Sequence, residues 1–131
     1  MPDATVLAFD YGTRKIGVAI GNTVTRQARP LTILVSATRQ QRFQAIGQLL
    51  HDWQPDLVVV GLPLTLDNLE QHASLQARRF ANQLHGRFGV RVQLVDERGS
   101  SLEAQQLLGS NEADDAMAAA VTLQRYLDAL S

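Results

Sequence analysis

The chain contains no cysteine among its 131 residues, so it has neither disulfides nor a thiolate metal site. Aromatic residues make up only 5%. No apolar run approaches the length of a membrane span, and Met1-Pro2-Asp3-Ala4 carries neither a basic n-region nor an apolar h-region. These absences point to a cytoplasmic protein with no membrane partner. Lysine is nearly missing: eleven of the 12 basic residues are arginine. Arginine grips phosphate through two parallel hydrogen bonds, which lysine cannot do. The three histidines, His51, His72 and His85, fall on helix bodies in no metal-ligand spacing. No Ser-His-Asp arrangement is present. Gly12, Gly17 and Gly21 do not form a dinucleotide fingerprint, because their segment reads strand-turn-strand.

What is present is 45% apolar, enough for one domain over residues 1–131 with a real core. The net charge of −1 hides an asymmetry. Residues 1–50 hold six basic groups against two acids, whereas residues 101–131 hold Arg125 against five acids. One basic face and one acidic region follow.

Apolar patterning orders the elements. Thr5 to Phe9 and Lys15 to Ile20 read as strands joined by a tight connection, so they pair antiparallel. A loop over Asn22 to Pro30 leads to a third strand, Leu31 to Val35. Thr38 and Gln41 form a capping box for a helix with Phe43, Ile46, Leu50 and Trp53 on one face, ended by Gln54-Pro55. Asp56 to Gly61 is a central strand parallel to the first. Leu62, Leu64 and Leu66 fall in an exposed loop. Asp67 and Glu70 suit a second capping box, and the helix behind it aligns Ala73, Ala77, Phe80, Ala81, Leu84 and Phe88 up to Gly89. Val90 to Val95 forms the last strand. Ser100 and Glu103 cap a short helix, and Asn111 caps the final one, which aligns Ala116, Ala120, Leu123, Leu127 and Leu130. The expected fold is α/β: a mixed five-stranded sheet with helices on both faces.

In such a sheet the reactive edge lies beyond the carboxyl ends of the parallel strands. Asp10 and Glu97 stand at such ends, and Asp115 lies in the first turn of the last helix. Alone, each has a plainer role: Asp10 starts a turn, Glu97 ends a strand, and Asp115 complements a helix dipole. Together they supply three hard oxygen donors from distant parts of the chain. That donor type holds two Mg²⁺ or Mn²⁺ ions for phosphodiester hydrolysis.

Four segments then carry a family resemblance over essentially the whole chain: F-D-Y-G-T-R-K-I-G-V-A, V-V-V-G-L-P-L-T-L-D, V-D-E-R and D-A-M-A-A-A-V-T-L-Q-R-Y-L. In this order they resemble the YqgF family of RNase H-fold, Holliday-junction-resolvase-like nucleases. The resemblance implies a sheet of order 3-2-1-4-5. It also implies that Asp10, Glu97 and Asp115 are the catalytic, metal-holding acids, and that the substrate is the 5′ end of pre-16S rRNA. Arg14, Lys15 and Arg98 are candidates to hold flanking phosphates. Ser100 and Ser101 match the family's two hydroxyl positions. Two alternatives stand beside this reading. One is resolution of branched DNA, which needs a symmetric dimer to cut two strands, whereas the chain itself is expected to be a monomer or weak homodimer. The other is a nucleic-acid-binding accessory protein with weak catalysis, which the short acidic segment 109–114 suggests. A sugar-kinase-type phosphotransferase also places Asp-x-Gly-Thr after a strand, but 131 residues leave no room for its second domain.

Overall fold

The architecture follows from one sheet and the two faces it must bury. The computed structural model describes residues 4–63, 71–96 and 115–130. In chain order these form β1 (Thr5–Asp10), β2 (Lys15–Asn22), β3 (Gln27–Val35), α1 (Arg39–Trp53), β4 (Leu57–Leu62), α2 (His72–Phe88), β5 (Val92–Asp96) and α3 (Asp115–Asp128). The strands lie in the order β3-β2-β1-β4-β5. β1 pairs antiparallel with β2 and parallel with β4, and β4 pairs parallel with β5. The mixed sheet is as the apolar pattern predicts, and its order is the one the family resemblance implies.

Alternation along β1 splits the core in two. Leu7 and Phe9 join Val18, Val58 and Val60 under α1 and α2, where Phe43, Ile46, Phe80 and Leu84 close the layer. Val6 and Ala8 join Ala19 and Val59 on the other face, under Ala119, Ala120, Leu123 and Leu127 of α3. Burying each large apolar side chain contributes roughly 1.5–3 kcal/mol, so both helical layers are held mainly by this burial. Phe80 anchors the first layer, meeting Phe9 edge-on at 5.9 Å and Tyr11 at 4.7 Å.

Several boundaries differ from the sequence reading. The segment read as a loop over Asn22 to Pro30 is largely strand: β3 begins at Gln27, and Gln27 pairs with Asn22. Proline is tolerated there because β3 is an edge strand and the register shifts beside it, between Val18 and Ala19. Leu62 is buried as the last residue of β4 rather than exposed in a loop. Trp53 is 38% exposed, with the Arg29 guanidinium 5.9 Å from its ring centre, so it does not share the buried face of Phe43, Ile46 and Leu50. Ala73 is exposed, and Ser74 occupies the buried position instead.

Thr38 caps α1 as expected, its Oγ1 accepting from the Gln41 N–H at 3.1 Å. Gln41 Oε1 reaches back to the Ala37 N–H, one residue earlier than a standard box. The box expected at Asp67 and Glu70 lies outside the described residues, as do Leu64, Leu66, the short helix from Ser100 and its Glu103, and the Asn111 cap. The described start of α2 is closed by Gln71, whose N–H donates to Ser74 Oγ at 2.9 Å. Ser74 Oγ in turn donates to the Pro63 carbonyl, tying the helix to the end of β4.

Candidate active site at the carboxyl end of the first strand

Asp10 is the last residue of β1 and is half-buried. Side chains alternate faces along a strand, so Asp10 shares the α3 face with Val6 and Ala8. Its cross-strand partner is Gly17. A Cβ built on Gly17 would collide with the carbonyl group of Asp115, and would lie 2.8 Å from the Ala116 nitrogen. The first turn of α3 therefore sits directly on β2, beside Asp10. Only glycine admits that approach.

The same logic continues down β2. A Cβ on Gly21 would lie 3.0 Å from Leu127 and 3.1 Å from Leu123. Gly17, Ala19 and Gly21 thus form a small-residue row, one every second position, on which α3 lies. The sequence carried this signal in G-V-A-I-G. Testing its glycines against a nucleotide-binding pattern alone misses it.

β1, β4 and β5 end together. Phe9 pairs with Val60, and Gly61 with Val95, so the sheet edge carrying Asp10 runs on to Leu62 and its partner Asp96. Glu97 is the next residue in the chain. It lies outside the described residues, as do Arg98, Ser100 and Ser101. The Arg125 guanidinium of α3 donates to the Asp96 carbonyl at 3.4 Å, a link between the last helix and this edge.

The structure thus brings Asp10 and Asp115 to one place from positions 105 residues apart in the chain. Two carboxylates at an open strand end are hard oxygen donors, a type that suits Mg²⁺ or Mn²⁺. Among the described residues no group of three acids or histidines is close enough to hold a metal. The described donors therefore fit a divalent ion as part of its shell, and the third donor expected from the sequence lies beyond them. His51, His72 and His85 are exposed, and His85 Nδ1 lies 3.0 Å from the Val90 carbonyl oxygen, a helix-end role.

Arg14 and Lys15 are exposed at the tip of the β1–β2 hairpin. The hairpin is held from α1. Arg42 donates to the Thr13 carbonyl at 2.5 Å and to the Tyr11 hydroxyl at 3.2 Å, with its guanidinium 5.5 Å from the Tyr11 ring centre. Arg42 was not singled out from the sequence, because nothing local to residue 42 reveals a partner 29 residues away.

The mixed five-stranded sheet with this strand order and its flanking helices is the fold of RNase H-like resolvases. Thermus thermophilus RuvC in complex with a Holliday junction substrate aligns at a TM-score of 0.55 and 21% identity, covering 96% of this chain and 94% of that one. The fowlpox virus Holliday junction resolvase aligns at 0.59 and 12%, covering 96% and 99%. The chain belongs to the RuvX family, described as Holliday junction resolvase, which matches residues 4–129. A Bordetella parapertussis relative is 72% identical over 99% of this chain and 98% of its own length. One from Paraburkholderia phytofirmans is 51% identical over 98% of this chain and 91% of its own. Both relatives bear the name "Putative pre-16S rRNA nuclease". Among the described residues, no helix is long and apolar enough to cross a membrane.

Proposed function

We propose that this protein is a divalent-metal-dependent nuclease of the cytoplasm that hydrolyses a phosphodiester of structured RNA, its substrate being the 5′ end of pre-16S rRNA. The observation that carries the reading is the seating of the Asp115 backbone on Gly17, the strand partner of Asp10. The names of the relatives favour RNA as the substrate.

In this reading Asp10, Glu97 and Asp115 hold Mg²⁺ or Mn²⁺ with their carboxylate oxygens. Two such ions, when bound, supply charge neutralisation and water activation at the scissile phosphate. The chain's own residues do the rest. Arg14, Lys15 and Arg98 fix phosphates flanking the cut. Ser100 and Ser101 add hydroxyl contacts to the same strand. Water oxygen adds to phosphorus as the bond to the 3′ oxygen breaks, leaving a 5′-phosphate and a 3′-hydroxyl. One domain suffices for this chemistry, acting as a monomer or weak homodimer.

Resolution of branched DNA is the second reading, favoured by the family's description and by the RuvC-like fold. It requires a symmetric dimer to cut two strands. The test sets a pre-16S leader RNA and a four-way DNA junction side by side with Mn²⁺, using the native protein and Asp10→Asn. Cleavage of the RNA by the native protein alone supports the proposal. Equal cleavage by Asp10→Asn rejects the site, and cleavage of the junction alone rejects the substrate.

A further inference from the structure

A second feature lies one residue from Asp10, on the opposite side of the sheet edge. Tyr11 lines a cleft of 270 Å³ whose walls also include Thr13, Thr38, Arg39, Arg42 and Arg79. Three arginines from two helices converge there, and among the described residues no carboxylate lines it. Like charges gathered without acids repel one another, and the arrangement is stable at low cost only where solvent or an anion screens it.

The three guanidinium groups differ in what they already do. Arg42 is committed to the hairpin through Thr13 and Tyr11, which fixes one wall. Arg39 rests 5.7 Å from the Phe43 ring centre, an apolar support that leaves its N–H groups to solvent. Arg79 is exposed on α2. The hydroxyl of Thr38 is taken up by the Gln41 N–H, so the positive character of the cleft comes from side chains rather than from the helix end.

We propose that this cleft is a second phosphate-binding site of the protein, in which Arg39 and Arg79 grip a backbone phosphodiester of the substrate strand away from the cut. The occupant is nucleic acid because of position. Tyr11 follows Asp10 directly, about 3.8 Å away between Cα atoms. A strand whose scissile phosphate lies at Asp10 and whose neighbours cross the hairpin at Arg14 is led into the cleft. The site is built for phosphate, since paired guanidinium N–H groups match its oxygens. This inference rests on the nucleic-acid reading above, and not on the identity of the catalytic acids.

The experiment measures binding of a fluorescein-labelled RNA hairpin with a 5′ single-stranded extension, in EDTA, over about 50–300 mM NaCl. The native protein is compared with Arg39→Glu and Arg79→Glu. Arg91→Glu, exposed just before β5 at the far end of the sheet, controls for the change in net charge. Each cleft variant is expected to bind at least about tenfold more weakly at 150 mM salt and to flatten the log–log salt slope by about one. Arg91→Glu is expected to do neither. With Mn²⁺ and saturating RNA the cleft variants keep kcat and raise KM, which a folding defect would not do. Cleft variants that bind like the native protein, or that differ no more than Arg91→Glu, overturn the proposal, as does failure of the native protein to bind the hairpin. Native protein that binds but does not cut the RNA defeats the nuclease reading alone, and the binding series still judges the cleft.

Discussion

Gly17 and Asp115 touch backbone to backbone: the first residue of α3 rests where any side chain on Gly17 would have to be. Because Gly17 pairs with Asp10, this contact sets the distance between two candidate metal ligands. Gly17→Ala is expected to push the start of α3 off the sheet. Overpacking of this kind costs about 1–3 kcal/mol, which urea denaturation reads directly. Cleavage is expected to fall further, on the order of 100-fold, since a shift of about 1 Å in reacting groups has that effect. A folded alanine variant that cuts RNA at the native rate would show that Asp115 does not belong to the site.

Much of this arrangement was legible in the sequence, for physical reasons that can be named. Short, continuous apolar runs at Val6 to Phe9 and Ile16 to Ile20, bounded by turn residues, mark two buried strands, and the tight connection between them makes the pair antiparallel. Asp10 stands out because a charge at the end of such a run needs a use. Asp115 stands out only once the last helix is placed on the sheet. Other features depended on tertiary context. Pro30 reads as a breaker until β3 is known to be an edge strand. Trp53 fits the helical period of α1, yet it is left part-exposed beside Arg29 of β3, which the helical period alone does not show. The cleft is built from Arg39, Arg42 and Arg79, and only the packing of α1 beside α2 brings them together.

Metal binding gives a reading independent of cleavage. A ligand that binds only the folded protein stabilises it in proportion to the logarithm of its concentration over Kd. Millimolar Mn²⁺ is therefore expected to raise the Tm of the native protein, and EDTA to reverse the rise. In Asp10→Asn the rise is expected to vanish, with the Tm in EDTA little changed. A full Mn²⁺ shift in that variant would place the ion elsewhere.

Ser74 is fully buried between the first turn of α2 and the end of β4, with bonds to Gln71 and Pro63. Ser74→Ala leaves the Gln71 N–H and the Pro63 carbonyl without this partner. The expected loss is about 1–3 kcal/mol, seen as a lower denaturation midpoint with an unchanged m value. An alanine variant of native stability would mean that water replaces both bonds.

Thr122 presents the opposite case. Its hydroxyl is buried in α3 and, among the described residues, has no hydrogen-bond partner. Valine has the same shape without the polar atom. Thr122→Val is expected to stabilise the protein by about 1 kcal/mol. The gain should appear in thermal unfolding with no change in RNA cleavage, since the site depends on the start of α3 rather than its middle. A destabilised valine variant would reveal a hydrogen bond to the Thr122 hydroxyl.

Arg42 tests how the hairpin tip is held. Its two N–H bonds, to the Thr13 carbonyl and the Tyr11 hydroxyl, diverge from one planar guanidinium that also sits over the Tyr11 ring. Lysine keeps the charge but cannot reach both acceptors from one rigid fork. Arg42→Lys is therefore expected to leave global stability within about 1 kcal/mol of native while loosening the tip. Amide hydrogen exchange should accelerate at Gly12 to Lys15 and stay slow at Val6 to Phe9, whose strand is buried on both faces. Because Arg14 and Lys15 ride on that tip, RNA affinity should fall even though neither residue has changed. Exchange that remains native-like across the hairpin would show that the turn is rigid by itself, and that Arg42 serves the cleft alone.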